Sequence, residues 1–233
     1  MTPQATNYRI PPWDQIDTVM FDMDGTLLDL HFDNYFWQDY LPRTWAASQG
    51  MDEGEAIRHL HGRYTQLRGN LNWYCLDFWA TELQLDVAQL KAKVKHKIAI
   101  RPRVIELLEQ LRSRDKRMLL ITNDHPPALS LQLQVTGIGR HFHNTISSHS
   151  LRLAKENAGF WGALQTLEPY DPQRTLLIDD SLPVLRQASR EGIRHLYAIY
   201  QPDSQKPPLA AGEFPQIVDF DHIMPPLASA GLS

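Results

Sequence analysis

Two aspartates one residue apart, Asp22 and Asp24, stand directly before Gly25 and Thr26. The apolar run Thr18-Val19-Met20-Phe21 leads into them. Carboxylates at the end of such a run are costly to bury unless their charge is compensated. A divalent cation is the natural compensation, and hard oxygen ligands suit magnesium. Gly25 permits a positive φ or a close backbone approach, and Thr26 offers a hydroxyl that would hydrogen-bond back to brace the loop. The competing reading is an ordinary Asp-Gly turn joining a strand to a helix. Two further apolar runs end the same way. Arg117-Met118-Leu119-Leu120-Ile121 leads into Thr122-Asn123-Asp124, and Arg174-Thr175-Leu176-Leu177-Ile178 leads into Asp179-Asp180.

Runs of this length without polar alternation predict strands buried on both faces, as in a parallel sheet. His195 to Tyr200 and Asn144 to Ser147 are further strand candidates. Helical patterns lie between them: Val104 to Leu111 with Pro102 near its first turn, and Leu182 to Glu191 ending at Gly192. Alternating strands and helices predict an α/β fold with a doubly wound, mostly parallel sheet. In such a sheet ligands lie beyond the carboxyl ends of the strands, at a topological switch point. All three polar clusters fall at predicted carboxyl ends.

Residues 30–100 break the alternation. They are rich in aromatics, among them Tyr35, Phe36, Trp37, Tyr64, Trp73, Tyr74 and Trp79, and contain no strand run. The spacing of Phe32, Tyr35 and Phe36, and of Tyr74 and Phe78, predicts helices. We read this stretch as an inserted helical cap domain, with residues 1–29 and 101–233 forming the core. The tail from Gln201 holds six prolines and little periodicity, which predicts a surface-hugging extension.

The chain has 233 residues, 42% hydrophobic and 21% charged, which fits a globular protein. A net charge of −4 gives no basic field for a nucleic acid polymer or an anionic membrane. No run approaches the ~18 apolar residues of a membrane span, and Met1 to Trp13 lacks an apolar signal-peptide core. One cysteine, Cys75, excludes an intramolecular disulfide and fits a reducing compartment. Cytoplasmic localisation is the expectation. Cys75 reads as a buried filler among aromatics, and Lys91, Lys93, Lys95 and Lys97 as a solvated basic run. His141 and His143 stand as a pair without acidic or cysteine partners at zinc-ligand spacing.

The segment Asp22-Met23-Asp24-Gly25-Thr26-Leu27 resembles the first motif of the haloacid dehalogenase-like superfamily, and the rest of that signature follows in order. Thr122 resembles the second-motif hydroxyl that binds phosphate. Lys155 resembles the third-motif lysine, although Glu156 follows it where many members have proline. Leu177-Ile178-Asp179-Asp180-Ser181 resembles the acidic fourth motif, with Val184 where many members carry another acid. The resemblance implies a phosphatase that works through an aspartyl-phosphate and Mg2+. It makes Asp22 the nucleophile and Asp24 the acid and base. Thr122, Asn123 and Lys155 would hold the phosphate oxygens. Asp22, the Asp24 carbonyl and Asp180 would ligate the metal, with Asp179 in an outer or water-mediated position.

Three stretches narrow the resemblance further: Asp33-Asn34-Tyr35-Phe36-Trp37, Leu71 to Asp77, and Thr122-Asn123-Asp124-His125-Pro126. Together they resemble the GMP/IMP nucleotidase branch. That branch implies a small phosphorylated substrate, a purine nucleoside monophosphate, with Asn34, Tyr35, Trp73 and Tyr74 as contacts to base or ribose. A sugar-phosphate or phosphoglycolate phosphatase and a phosphomutase share the same core chemistry. A binding module without catalysis is the alternative from another class. Haloacid dehalogenation is disfavoured, because the dehalogenases that resemble this chain lack an acid at the Asp24 position.

Overall fold

The computed structural model describes residues 9–209 and 212–226. Strands β1 (Thr18–Phe21), β2 (Arg117–Thr122), β3 (Asn144–Ser147), β4 (Thr175–Asp179), β5 (His195–Ile199) and β6 (Gln216–Ile217) form one sheet. Its order is β3-β2-β1-β4-β5-β6, and every neighbouring pair is parallel. The chain runs outward from β1 to β2 and β3, then returns to the other side of β1 as β4. That reversal is the switch point at which a doubly wound sheet opens a crevice.

The apolar runs are continuous because both faces of the sheet are covered. Val19, Phe21, Leu120, Leu176 and Ile178 pack on one face with Val104, Leu107, Leu108 and Leu111 of the helix Val104–Arg112. Met20, Leu119, Ile121 and Leu177 pack on the other face with Phe160, Trp161 and Leu164 of Phe160–Leu167. Val184, Leu185 and Ala188 of Leu182–Arg190 complete that second layer. Adjacent strand residues thus feed opposite cores, as a two-residue period requires.

Residues between β1 and β2 form helices His31–Tyr35, Leu41–Gln49, Glu53–Leu67, Leu76–Leu83 and Val87–Lys93, with a π-helical turn at Phe36–Tyr40. Phe32, Phe36, Leu41, Leu60, Leu76, Trp79 and Leu83 give them a hydrophobic cluster of their own. Asp52 and Asp86 cap two of these helices by accepting from the backbone N–H of Glu55 and Gln89. The helix Pro126–Thr136 follows β2, and its Ala128 joins this cluster.

The proline-rich tail departs from the expectation of a plain surface extension. Gln216 and Ile217 pair with Ala198 and Ile199 as the sixth strand, and Ile217 is buried. Two residues are too short a run to register as a strand in sequence, and tertiary pairing supplies what local pattern lacks. Among the described residues, no helix is long and apolar enough to cross a membrane.

Candidate active site

Each predicted polar cluster emerges where its strand ends, and the parallel register brings the clusters level. Phe21 pairs with Leu120 on one side and Ile178 on the other, so Asp22 leaves the sheet level with Asp179, and Thr122 follows one residue further along its strand. They floor a cavity of about 520 Å³ lined also by Asp24, Asn123, Lys155 and Asp180. That volume suits a small-molecule ligand.

Lys155 is buried, and its Nζ lies 2.5 Å from Asp22 Oδ1 and 2.7 Å from Asp179 Oδ2. It also donates to the Ile121 carbonyl at 3.1 Å. Burial works against its charge, yet the carboxylates of Asp179 and Asp22 hold its pKa above the ordinary lysine value. One oxygen each of Asp22, Asp179 and Asp180 lies within 4.8 Å of the others. Burial raises the Asp180 pKa well above the usual carboxylate range, and the charges of Asp22 and Asp179 raise it further. Burial pushes Asp179 up to about 7 against the pull of Lys155. Three convergent carboxylates facing one ammonium are undercompensated, and their all-oxygen donor set fits a hard divalent cation. Both Asp179 oxygens are already engaged, Oδ2 by Lys155 and Oδ1 by the backbone N–H of Ser181 at 2.8 Å.

Gly25 has φ +80°, and a Cβ there would sit 2.6 Å from Asp180 Oδ2. The first loop needs glycine both for its backbone and for the approach of that carboxylate. The Thr26 hydroxyl is buried without a partner, so it does not brace the loop as expected. Backbone bonds do so instead, from the Leu27 and Leu28 N–H groups to the Met23 carbonyl, both at 2.9 Å. Thr122 is buried, and its Oγ1 accepts from the Asp124 N–H at 3.0 Å. The Asn123 side chain serves the loop that carries Lys155: its Oδ1 accepts from the Lys155 N–H and its Nδ2 donates to Glu156, each at 2.9 Å.

Asp24 turns away from the convergent trio. Gln132 Nε2 lies 3.3 Å from its Oδ2 and 2.7 Å from Asp124 Oδ2, while Asp24 Oδ1 is buried without a partner. Burial, together with the charges of Asp33 and Asp124, raises the Asp24 pKa well above the usual carboxylate range. Its surroundings thus disfavour the charged form, the direction that suits a group that must give up a proton.

Lys91 corrects the expectation of a solvated basic run. It is only 1% exposed, with Nζ 2.7 Å from Asp33 Oδ1 and 3.6 Å from Asp124 Oδ1. The approach to Asp33 is a close ion pair without the directed geometry of a hydrogen bond. Lys93 and Lys95 are exposed as expected, and Lys97 lies 4.2 Å from the centre of the Tyr35 ring. The missed signal was helical: Lys91 shares the face of Val87, Leu90 and Val94, the buried stripe of its helix. Lys91→Met would leave the Asp33, Asp124 and Asp24 carboxyls without their cation. It is expected to cost about 3–5 kcal/mol, read as a melting temperature lower by on the order of 10 °C.

The four substrate-contact candidates part company. Trp73 and Tyr74 line the cavity with Trp37, Tyr64 and Arg68. Tyr74 Oη donates to Glu156 Oε1 at 2.8 Å, so the residue that replaces proline after Lys155 joins the core to the helical insertion. Asn34 reaches the cavity, but its amide is spent on Asp203 and Gln38, each at 2.7 Å. Tyr35 is not among the lining residues and packs instead with His31 and Tyr40. His143 Nδ1 accepts from the Met118 N–H and His141 Nε2 pairs with Arg140, so these histidines are engaged separately.

A model of the haloacid dehalogenase-like hydrolase family matches residues 16–188. The chain belongs to that family of hydrolases. Within it, the chain is 37% identical over 215 residues to the GMP/IMP nucleotidase YrfG of Escherichia coli (strain K12), covering 92% of this chain and 97% of that protein. The GMP/IMP nucleotidase YrfG of Shigella flexneri matches equally. In fold the chain is similar to the HAD phosphatase from Thermococcus onnurineus, at a TM-score of 0.72 and 20% identity over 87% of this chain and 93% of that one. It is also similar to CbbY from Rhodobacter sphaeroides in complex with phosphate, at 0.62 and 16% over 86% and 92%.

Proposed function

We propose that the protein is a magnesium-dependent phosphomonoesterase that hydrolyses purine nucleoside 5′-monophosphates to nucleoside and phosphate. The observation that carries this reading is one cavity with two unlike sets of lining groups. Its lining combines the polar groups Asp22, Asp24, Thr122, Lys155 and Asp180 with the aromatic rings of Trp37, Tyr64, Trp73 and Tyr74. The identity to GMP/IMP nucleotidases over nearly the whole chain supports the same substrate class. In this reading residues 30–100 are a substrate-selecting cap on a core of residues 1–29 and 101–233.

Asp22 attacks phosphorus as the bond to the ester oxygen breaks, which leaves an aspartyl-phosphate. Asp24 gives its proton to the departing 5′-oxygen, then takes one from the water that attacks the same phosphorus. Phosphate leaves and both carboxyls are restored. The Lys155 ammonium and the Thr122 hydroxyl hold phosphate oxygens during both steps. Asp22 and Asp180, with the Asp24 carbonyl, would hold Mg2+, and Asp179 would steady the group from the outer position through Lys155 and Ser181. The bound ion would offset the repulsion between an anionic nucleophile and an anionic ester.

Phosphate release from GMP, IMP, AMP and several sugar phosphates, compared by kcat/KM, tests the substrate reading. Purine monophosphates are expected to lead. Equal or better turnover of sugar phosphates would transfer the protein to the sugar-phosphate class with its core chemistry intact. Aromatic stacking is worth about 1–3 kcal/mol per base. Trp73→Ala is therefore expected to raise KM for GMP roughly 10- to 100-fold, with little change for p-nitrophenyl phosphate, which carries no purine. Equal losses on both substrates would remove Trp73 from base recognition.

A further inference from the structure

Beside the cavity, three residues that no step above uses come together from distant parts of the chain. Cys75 lies between the turn Leu71–Tyr74 and the helix Leu76–Leu83 of the insertion. His125 precedes the first turn of the helix Pro126–Thr136, and His149 lies in the turn Ser148–Leu151 after β3. One ligand atom from each lies within 4.8 Å of the other two.

Two features set this cluster apart from chance packing. His125 Nδ1 and His149 Nε2 are both buried and have no hydrogen-bond partner. An orphaned buried ring nitrogen is costly, and two in one place ask for a shared partner. His125 Nε2 lies 3.7 Å from Asp77 Oδ2, and the His149 ring packs at a steep angle against the His125 ring, 4.7 Å between centroids. A carboxylate beside the outer nitrogen is a common neighbour of a metal-binding histidine. Burial lowers both histidine pKa values, and burial with the neighbouring His125 takes His149 down to about 4, so both rings are neutral near pH 7.

Two imidazoles and a thiol form a borderline-soft set that suits zinc and not magnesium. Zinc bonds of ~2.0–2.3 Å in a tetrahedron separate ligand atoms by roughly 3.3–3.8 Å. Small side-chain rotations would close the remaining gap and leave the fourth position to solvent. Cys75 belongs to the helical insertion, whereas both histidines belong to loops of the sheet. The surrounding contacts cross the same seam: Tyr74 to Glu156, and Asn157 Nδ2 to the Gly69 carbonyl at 2.9 Å. Residues of both parts line the cavity, so a tie between them bears on access to it.

We propose that Cys75, His125 and His149 form a zinc-binding staple that holds the insertion against the core and thereby restrains turnover. Titration of the whole protein with Co2+ in excess Mg2+ tests the site without reference to any substrate. A thiolate-to-cobalt charge-transfer band is expected, at about one Co2+ per chain. It should be displaced by Zn2+ and lost in Cys75→Ser and in His149→Gln, both of which should keep their Mg2+-supported phosphate release. Zinc at about 100 times its Kd should disfavour the opened form about 100-fold. Phosphate release by the unaltered protein should then fall roughly 10- to 100-fold, while Cys75→Ser is spared. Absence of the band, or its survival in either variant, would overturn the site. Equal zinc inhibition of the unaltered protein and Cys75→Ser would place the inhibition at the carboxylate trio and overturn the staple.

Discussion

Asp22→Asn is expected to abolish magnesium-dependent phosphate release, by roughly 10⁴-fold or more. The amide matches the carboxylate in shape but cannot attack phosphorus. It also removes one negative charge from the group that Lys155 compensates. Stability should move the other way. Asp22, Asp179 and Asp180 crowd around one ammonium, and Lys155 keeps Asp179 at 2.7 Å when Asp22 is neutral. The melting temperature of the variant should therefore equal or exceed that of the unaltered protein. Lost activity with retained stability identifies a chemical role. Lost activity with a lowered melting temperature would point to Asp22 as a structural partner of Lys155 instead.

Asp24→Asn should divide substrates by their leaving groups. A ribose 5′-oxygen departs as a strongly basic alkoxide unless it receives a proton, so loss of the acid should slow GMP hydrolysis about 10²–10⁴-fold. The p-nitrophenolate ion is a stable leaving group and needs no proton. Its release in the first turnover should be nearly unchanged. The second step loses its base with either substrate, so the variant should release one burst of p-nitrophenolate and then slow. The Gln132 amide lies within hydrogen-bond reach of both Asp24 and Asp124 and would hold the new side chain in place. A uniform loss on both substrates, with no burst, would take proton transfer away from Asp24.

The parallel sheet was legible because burial on both faces writes an unbroken apolar run, as in Met118 to Ile121 and Leu176 to Ile178. The polar groups that line the cavity floor were legible because they end those runs, where the register must bring them together. What escaped lacks a local signature. Gln216 and Ile217 join the sheet through pairing with β5, and nothing in two residues of a proline-rich tail announces that. Lys91 was read by its charge among neighbouring lysines, whereas its place on an apolar helical stripe decided its burial. Its partners Asp33 and Asp124 lie on either side of the seam between insertion and core, a contact that no spacing along the chain encodes. Cys75, His125 and His149 escaped for the same reason. The aromatics of the insertion were legible as a group but not one by one: Trp73 faces the cavity, and Tyr35 packs under Lys97.

If Asp22 itself carries the phosphoryl group, the Asp24→Asn variant offers the means to see it. During the burst from p-nitrophenyl phosphate, acid quenching followed by peptide mass spectrometry should find a hydroxylamine-labile phosphoryl group on the peptide that contains Asp22. Its amount should match the p-nitrophenolate released. A burst with no phosphorylated peptide, or a phosphoryl group on any other residue, would contradict the mechanism.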